Sequence, residues 1–148
     1  MEIDDKDKKI LNLILEDSKL SLRKIAEKTN VSAVTVLKRV KSLEKEKIIK
    51  NYTTELDYEK IGYDITAIIR MKISKGKLFE MEKKIAGDFH VFAVYDTTGD
   101  FDSLAIARFK NRKSLDTFLK KIQTYDFIEK TETSVVLNII KEGRIRVE

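Results

Sequence analysis

The stretch from Lys19 to Lys50 most constrains the fold, because it combines two short helical patterns with a strong positive charge. It carries 10 Lys and Arg side chains against 3 Glu. Ser21 and Ser32 each stand just before a helical pattern, where a hydroxyl accepts a hydrogen bond from a first-turn N–H. Asn30 lies in the connection and is among the few non-glycine residues that adopt the left-handed conformation cheaply. The stretch therefore predicts a helix-turn-helix, whose second helix enters the DNA major groove.

The second of these helices separates its side chains by face. At about 100° per residue, Val36, Val40 and Leu43 share the core face, and the opposite face carries lysines together with Val34. An ordinary solvated helix face also carries lysines, but it does not explain an exposed apolar side chain at the start of the helix. We therefore predict that the cations contact phosphates and that the start of the helix reads bases. The candidate DNA-binding residues are Ser21, Ser32, Val34, Thr35, Leu37, Lys38, Arg39, Lys41 and Lys50.

The flanking segments complete a small domain. Asp4 stands at the N-cap of a further helix within residues 1–17, whose apolar stripe is Ile10, Leu11, Ile14 and Leu15. Residues 48–56 alternate in polarity and predict a short strand or wing, or only the exit from the domain. The predicted organisation is a winged helix-turn-helix DNA-binding domain at 1–56, a linker at 57–64 with a turn at Gly62, and a second domain at 65–148.

The second domain has the pattern strand, helix, strand, strand, helix, strand. The predicted elements are Ile65–Ile73, Lys77–Ala86, Phe89–Thr97, Leu104–Phe109, Arg112–Ile122 and Thr131–Ile140. This order predicts a ferredoxin-like βαββαβ unit, so the fold class of the whole chain is α+β.

Apolar side chains occupy both faces of the predicted sheet. In one strand Val91, Ala93 and Tyr95 share a face, while Phe92 and Val94 share the other. A ferredoxin-like unit has helices on one face only, so a second copy of the chain would cover the other and form a homodimer. The alternative is that these are scattered surface apolar residues, which need no explanation.

Composition excludes several classes of protein. The chain has no Cys and a single histidine, His90, which we expect to be packed or at an interface. Disulfides and Cys–His or Ser–His catalysis are therefore not expected, and we predict no enzyme activity, no cofactor and no metal site. No apolar run approaches the length of a membrane span, and the start resembles no signal peptide. We expect a cytoplasmic protein without a membrane partner.

The loop from Asp96 to Asp102 gathers three carboxylates and leaves three alternatives open. It is a tight turn with solvated charges, a metal or acid–base site, or an amino-acid pocket. For the pocket, Gly99 allows close backbone approach and Asp102 holds an α-ammonium group. The spacing does not match a calcium-binding loop.

The chain resembles the Lrp/AsnC (feast/famine) transcription regulators over essentially its whole length. The motifs that carry the resemblance are IDDKDKKILNLILEDSKLSLRKIAEKTNVSAVTVLKRVKSLEKEKIIKNYTTELDYEKIGYDITA, then TGDFDSLAI, then TETSVVL. The resemblance implies a C-terminal domain that dimerises and senses amino acids, dimers that assemble further to octamers, and an effector pocket around the TGDFD loop. The candidate effector-binding residues are Thr98, Gly99, Asp100, Phe101, Asp102, Thr131 and Thr133.

Three departures from the family pattern concern the sites. Ser32-Ala33-Val34 replaces a frequent Ser-Pro-Ser, Leu37 replaces a polar or basic residue, and Phe101 replaces an aromatic hydroxyl. We expect a sequence-specific DNA-binding transcription regulator that binds inverted-repeat sites as a dimer or higher oligomer and responds to an amino acid. The alternatives are an architectural DNA-wrapping protein of low specificity and an enzyme using the carboxylate loop, which would turn over substrate without DNA.

Overall fold

The computed structural model describes residues 2–148 and forms two compact units. The N-terminal unit contains the chain up to Glu55 together with Lys141–Glu148, and the second unit contains Leu56–Ile140. The sequence pattern predicts residues 141–148 in the second domain. They lie in the N-terminal unit instead, because the Asn12 side chain bonds to the backbone of Val147 with two hydrogen bonds of 2.9 Å.

The N-terminal unit has the three predicted helices, α1 (Asp5–Glu16), α2 (Leu22–Thr29) and α3 (Ala33–Lys45). Asp4 caps α1 as expected, and it accepts a hydrogen bond from the Asp7 amide at 2.9 Å. The apolar stripes meet in one core, formed by Ile10, Ile25, Ala26, Val36 and Val40. Helices as short as α2 are marginal alone, so this shared core stabilises them.

Residues 48–56 form no strand, so of the two alternatives left by the sequence the structure has the exit from the domain. The amides of Ile48 and Ile49 instead both bond to the Leu43 carbonyl, at 2.9 and 3.1 Å, and close the end of α3. Lys47 takes the left-handed conformation, with φ of 57°, that such a helix end requires. Residues 50–60 are exposed, and the described part of this unit holds no strand that could pair with them.

The second unit is the predicted ferredoxin-like βαββαβ fold. Its elements are β1 (Ile65–Ile73), α4 (Leu78–Ala86), β2 (Val91–Asp96), β3 (Ser103–Phe109), α5 (Arg112–Gln123) and β4 (Ile128–Val135). The strands form one antiparallel sheet in the order β2-β3-β1-β4. Both helices pack on one face, over a core that includes Ile69, Met71, Ile85, Phe109 and Phe118.

A β-bulge in β2 corrects the predicted assignment of faces. Val91 pairs with Ala107 and Ala93 with Ile106, so Phe92 is an extra residue in the ladder. The bulge turns Val94 toward the helices, where it packs against the core, while Phe92 stays on the opposite face beside Arg108. Phe92 and Val94 therefore do not share a face, because one extra residue reverses the alternation.

The last strand lies earlier in the chain than predicted. The apolar end of the pattern predicts a strand over Thr131–Ile140, whereas β4 covers Ile128–Val135. Its last bond to β1 runs from the Val136 amide to the Thr66 carbonyl at 2.8 Å, close to the start of β1. Beyond this point β1 offers no further partner, and Leu137 and Ile140 are 90% and 93% exposed.

Candidate nucleic-acid interface and effector loop

Local hydrogen bonds cap both helices of the helix-turn-helix at their N-terminal ends. The Ser21 hydroxyl accepts from the Lys24 amide at 3.3 Å, and the Ser32 hydroxyl accepts from the Thr35 amide at 3.1 Å. Asn30 adopts the predicted left-handed conformation, with φ of 55°, between α2 and α3. Ser21 and Ser32 thus act as N-caps, and they fix where each helix begins.

The first turns of α3 present apolar side chains to solvent. Val34 is 63% exposed and Leu37 is 38% exposed. Tyr52 does not cover them, since its hydroxyl donates to the Glu44 carboxylate at 2.8 Å near the other end of the helix. Burial, followed by this contact with Glu44, raises the pKa of Tyr52 to about 12. Lys38, Lys41 and Lys50 are exposed as predicted, and Thr35 is half-buried.

Arg39 is held inside the N-terminal unit. Its guanidinium donates to the carboxylates of Asp4 and Asp7, at 2.8 Å in each case. The Asp7 side chain is only 2% exposed. The hydrogen bonds to Asp7 and, to a smaller extent, to Asp4 raise the pKa of Arg39. The hydrogen bond from the Asp7 backbone N–H, followed by that from Arg39, lowers the pKa of Asp4, although burial opposes this shift. Arg39 therefore ties α3 to the start of α1, a role that sequence reasoning missed.

In the candidate effector loop, Asp102 is bonded to β1 through both its side chain and its backbone. The Asp102 carboxylate accepts from the Ile73 amide at 2.9 Å, and its backbone amide donates to the Met71 carbonyl at 3.0 Å. The Lys72 ammonium lies 3.8 Å from the same carboxylate. Asp102 is therefore already engaged with β1. Thr98, Gly99 and Asp100 form the exposed tip, with Gly99 at a φ of 112°.

The remaining effector candidates divide between the two faces of the sheet. Thr131 and Thr133 pair with Met71 and Ile69, whose side chains face the helices. Phe101 lies near the start of β4, and the Lys130 ammonium is 5.4 Å from its ring centre. Because alternate strand residues point to opposite faces, Lys130 and Phe101 lie on the other side of the sheet from the threonines. Lys130 is a further candidate that the sequence did not indicate.

A cleft of 520 Å³ lies between the start of α5 and the segment that follows α4. His90 packs there between Phe89 and Phe109, with ring centres 3.9 and 4.7 Å away. Its Nδ1 lies 3.0 Å from the Asp88 carboxylate, which also accepts from Lys121 at 2.8 Å. Burial alone would raise the pKa of Asp88, but the bonds from Lys121 and His90 outweigh it and lower that pKa. The packed position expected for His90 is confirmed.

The described part of the chain contains neither a group of metal-binding side chains nor a membrane-spanning helix. Among residues 2–148, no three His, Asp or Glu side chains are grouped so as to hold a metal ion. None of the helices described is long and apolar enough to cross a membrane.

A capped helix-turn-helix joined to a ferredoxin-like domain defines a class of DNA-binding transcription regulators. The family model for a winged helix-turn-helix DNA-binding domain matches residues 3–50, and the model for the Lrp/AsnC ligand binding domain matches residues 66–145. The chain belongs to the Lrp/AsnC family of transcription regulators, as its motifs predicted.

Relatives match over nearly the full length of the chain. An uncharacterized HTH-type transcriptional regulator of Pyrococcus furiosus is 49% identical over 96% of both chains, and the regulator FL11 of the same organism is 36% identical over 95% and 93%. Among solved structures, Escherichia coli AsnC superposes with a TM-score of 0.92 at 25% identity, covering 99% of this chain and 100% of its own. The Neisseria meningitidis regulator NMB0573, in complex with L-Met, has a TM-score of 0.89 at 26% identity over 96% and 94%.

Proposed function

We propose that this protein regulates transcription in the cytoplasm by binding inverted-repeat DNA sites as a symmetric dimer, with α3 in the major groove. The observation that carries the proposal is the exposed start of α3, where Val34 and Leu37 face solvent beside Lys38 and Lys41. Neither apolar side chain can form a hydrogen bond, so the base feature that they contact favourably is the thymine methyl group. The half-sites then contain A·T pairs under Val34.

Lys38, Lys41 and Lys50 neutralise DNA phosphates in this proposal. Each phosphate that is no longer neutralised should reduce the slope of log K against log salt by about 0.9. We expect Lys38→Ala and Lys41→Ala each to weaken binding to a duplex selected from a random pool and to flatten that slope. Fluorescence anisotropy at several KCl concentrations measures both effects. Lys83→Ala, an exposed change on α4, is the matched control.

Three binding measurements can contradict parts of this proposal. An unchanged affinity and slope in both lysine variants would remove α3 from the phosphate interface. Uracil at every thymine of the selected site deletes the methyl groups and keeps the pairing, so unaffected binding would reject the contact by Val34. Equal affinity for selected and random duplexes would favour the architectural alternative.

We further propose that the second unit dimerises through the sheet face opposite its helices. No helix of the second unit covers this face, and its apolar side chains include Ile68, Phe92, Tyr95, Leu104 and Ile106. Phe92 and Tyr95 are 46% and 55% exposed. Burying such a patch against a second copy removes apolar surface from water. Further assembly of these dimers to an octamer is part of the same proposal.

A charge placed on this face should prevent dimerisation. We expect Ile106→Glu in the full chain to sediment as a monomer at tens of micromolar, because the carboxylate would be buried without a partner. Gln123→Glu adds the same charge at the exposed end of α5 and should leave the assembly unchanged. If Ile106→Glu keeps the wild-type sedimentation coefficient and circular dichroism, the interface lies elsewhere.

The second unit also senses an amino acid in this proposal, at the loop formed by residues 98–102. The ligand-binding family model and the L-Met complex of the Neisseria relative support an amino-acid effector. Asp102 is engaged with β1, so Asp100 at the exposed tip is the carboxylate that can receive the α-ammonium group, and Lys130 can receive the α-carboxylate.

Calorimetry with the twenty amino acids tests this site. We expect at least one to bind the wild type, and Asp100→Ala to weaken that binding about tenfold or more, as for the loss of a charge-assisted hydrogen bond. Asp126→Ala, an exposed aspartate after α5, is the control. Binding of none of the twenty to the wild type would exclude an amino-acid effector.

A further inference from the structure

The C-terminal end of α1 depends on a segment that is distant in the chain. The last turn of α1 contains no basic residue, although a helix C-terminus leaves carbonyls without partners and favours positive charge. The Arg144 guanidinium donates to the Leu15 carbonyl at 3.2 Å, across a sequence separation of 129 residues. The cation that the last turn of α1 lacks therefore comes from residues 141–148, which we call the strap.

The backbone of the strap is also hydrogen-bonded to α1. The Asn12 side-chain amide donates to the Val147 carbonyl and accepts from the Val147 amide, both at 2.9 Å. This pairing reproduces what a neighbouring strand would offer, so it recognises extended backbone rather than a particular side chain. Asn12 lies near the middle of α1 and Leu15 one turn later, so the strap contacts the second half of that helix.

Hydrogen bonds hold the strap with little apolar burial. A cleft of 500 Å³ remains among the strap, α1 and the segment after α3; its lining includes Leu11, Ile14, Ile49, Tyr52 and Val147. Ile145 is 87% exposed. Segments with little buried apolar surface open locally at low cost, without unfolding of the rest of the protein. Local opening of the strap therefore costs little free energy.

The two ends of α1 have different partners. The strap contacts its second half, while Asp4 and Asp7 at its start hold Arg39 of α3. We propose that the strap binds α1 reversibly and, while bound, keeps α3 in its DNA-binding position. Release of the strap from α1 therefore lowers DNA affinity. The inference rests on the proposed function. Since the strap follows β4 through residues 136–140, the ligand-binding domain has a direct covalent route to it.

Amide hydrogen exchange of the full chain tests whether the strap is bound to α1. The Val147 amide should be protected in the wild type, lose its protection in Asn12→Ala, and keep it in the matched control Asn138→Ala, which alters an exposed asparagine. An unprotected Val147 amide in a wild-type protein that binds DNA normally would overturn the strap and leave the proposed function standing.

DNA binding tests whether the strap acts on α3. We expect Asn12→Ala, which loses two hydrogen bonds to the strap, to bind the selected duplex about tenfold more weakly at fixed salt. A chain ending at Ile140 also loses the bond from Arg144 and should bind at least as weakly. Asn12→Ala added to the shortened chain should have no further effect. A protected Val147 amide with variants that bind within twofold of the wild type would overturn the coupling. A wild type that binds no DNA would remove the proposed function and the coupling together.

Discussion

Arg39→Ala is expected to destabilise the N-terminal unit by about 2–4 kcal/mol, because it leaves the carboxylate of Asp7 buried without its partner. That side chain is only 2% exposed, and the distance to the guanidinium is 2.8 Å. Urea unfolding followed by circular dichroism measures the destabilisation. Arg23→Ala, at an exposed position of α2, removes the same side chain and should change stability by less than about 0.5 kcal/mol.

A second variant separates the effect of the ion pair from that of packing. Asp7→Leu combined with Arg39→Met removes both charges and keeps apolar volume, so it should recover most of the stability that Arg39→Ala removes. If Arg39→Ala is as stable as Arg23→Ala, the ion pair contributes nothing. If the double variant is the least stable, the contribution of Arg39 lies in a different interaction.

The contacts of Asp4 with the Asp7 backbone and with Arg39 make the stability of the N-terminal unit sensitive to acid. The backbone N–H of Asp7, followed by Arg39, lowers the pKa of Asp4 below its ordinary value, while burial opposes the shift. A carboxyl group with a lowered folded-state pKa contributes stability that is complete above its unfolded pKa, about 3.9. That stability is lost as the pH falls through the folded value, so Arg39→Ala should show a smaller decrease in stability across this range.

Phe109→Ala is expected to cost about 3–5 kcal/mol, the range for removing a buried aromatic ring from a core. Phe109 is fully buried, and its ring centre lies 4.7 Å from that of His90 and 5.4 Å from that of Phe118. The variant should unfold at a much lower urea concentration than the wild type. Phe79→Ala is the control, since Phe79 is 78% exposed and its removal should cost less than about 0.5 kcal/mol.

The comparison of these two phenylalanines tests the assignment of the core. Equal stability of the two variants would mean that Phe109 does not pack as described. A large destabilisation in Phe79→Ala would mean instead that Phe79 is buried in solution, against a second copy of the chain or elsewhere.

Features fixed by neighbouring residues were predictable from the sequence. Ser21, Ser32 and Asn30 form caps and a turn with residues within a few positions of themselves, so local chemistry was sufficient to identify them. The alternation along Ile65–Ile73 likewise predicted the bounds and the buried face of β1. In these cases the period of apolar residues matches the geometry of a single element.

Features fixed by distant residues were not predictable in the same way. The partners of Arg39 lie 32 and 35 positions away, and its place on the flank of α3 gave no sign of them. The bulge at Phe92 depends on the pairing of β2 with β3, and one inserted residue was enough to reverse the predicted face of Val94. The strand expected at 48–56 had the right alternation but no partner strand.

In the loop from Asp96 to Asp102, the structure gives Asp102 a role that the sequence did not predict. Asp102 was expected to bind an ammonium group, because three carboxylates near a glycine suggested a polar pocket. In the structure its carboxylate accepts the Ile73 amide, a hydrogen bond that depends on how the loop folds against β1. Thr131 and Thr133 resembled family positions, but strand register places them on the face that carries the helices.

The return of Lys141–Glu148 to the N-terminal unit has a consequence for synthesis of the protein. Translation delivers α1, α2 and α3 first, then the whole second unit, and only then Arg144 and Val147. On a growing chain, Asn12 and the Leu15 carbonyl therefore have no strap to bind until the ligand-binding domain has been made. The second unit can fold as a continuous segment, and the DNA-binding unit, although it is started first, is the last to be completed.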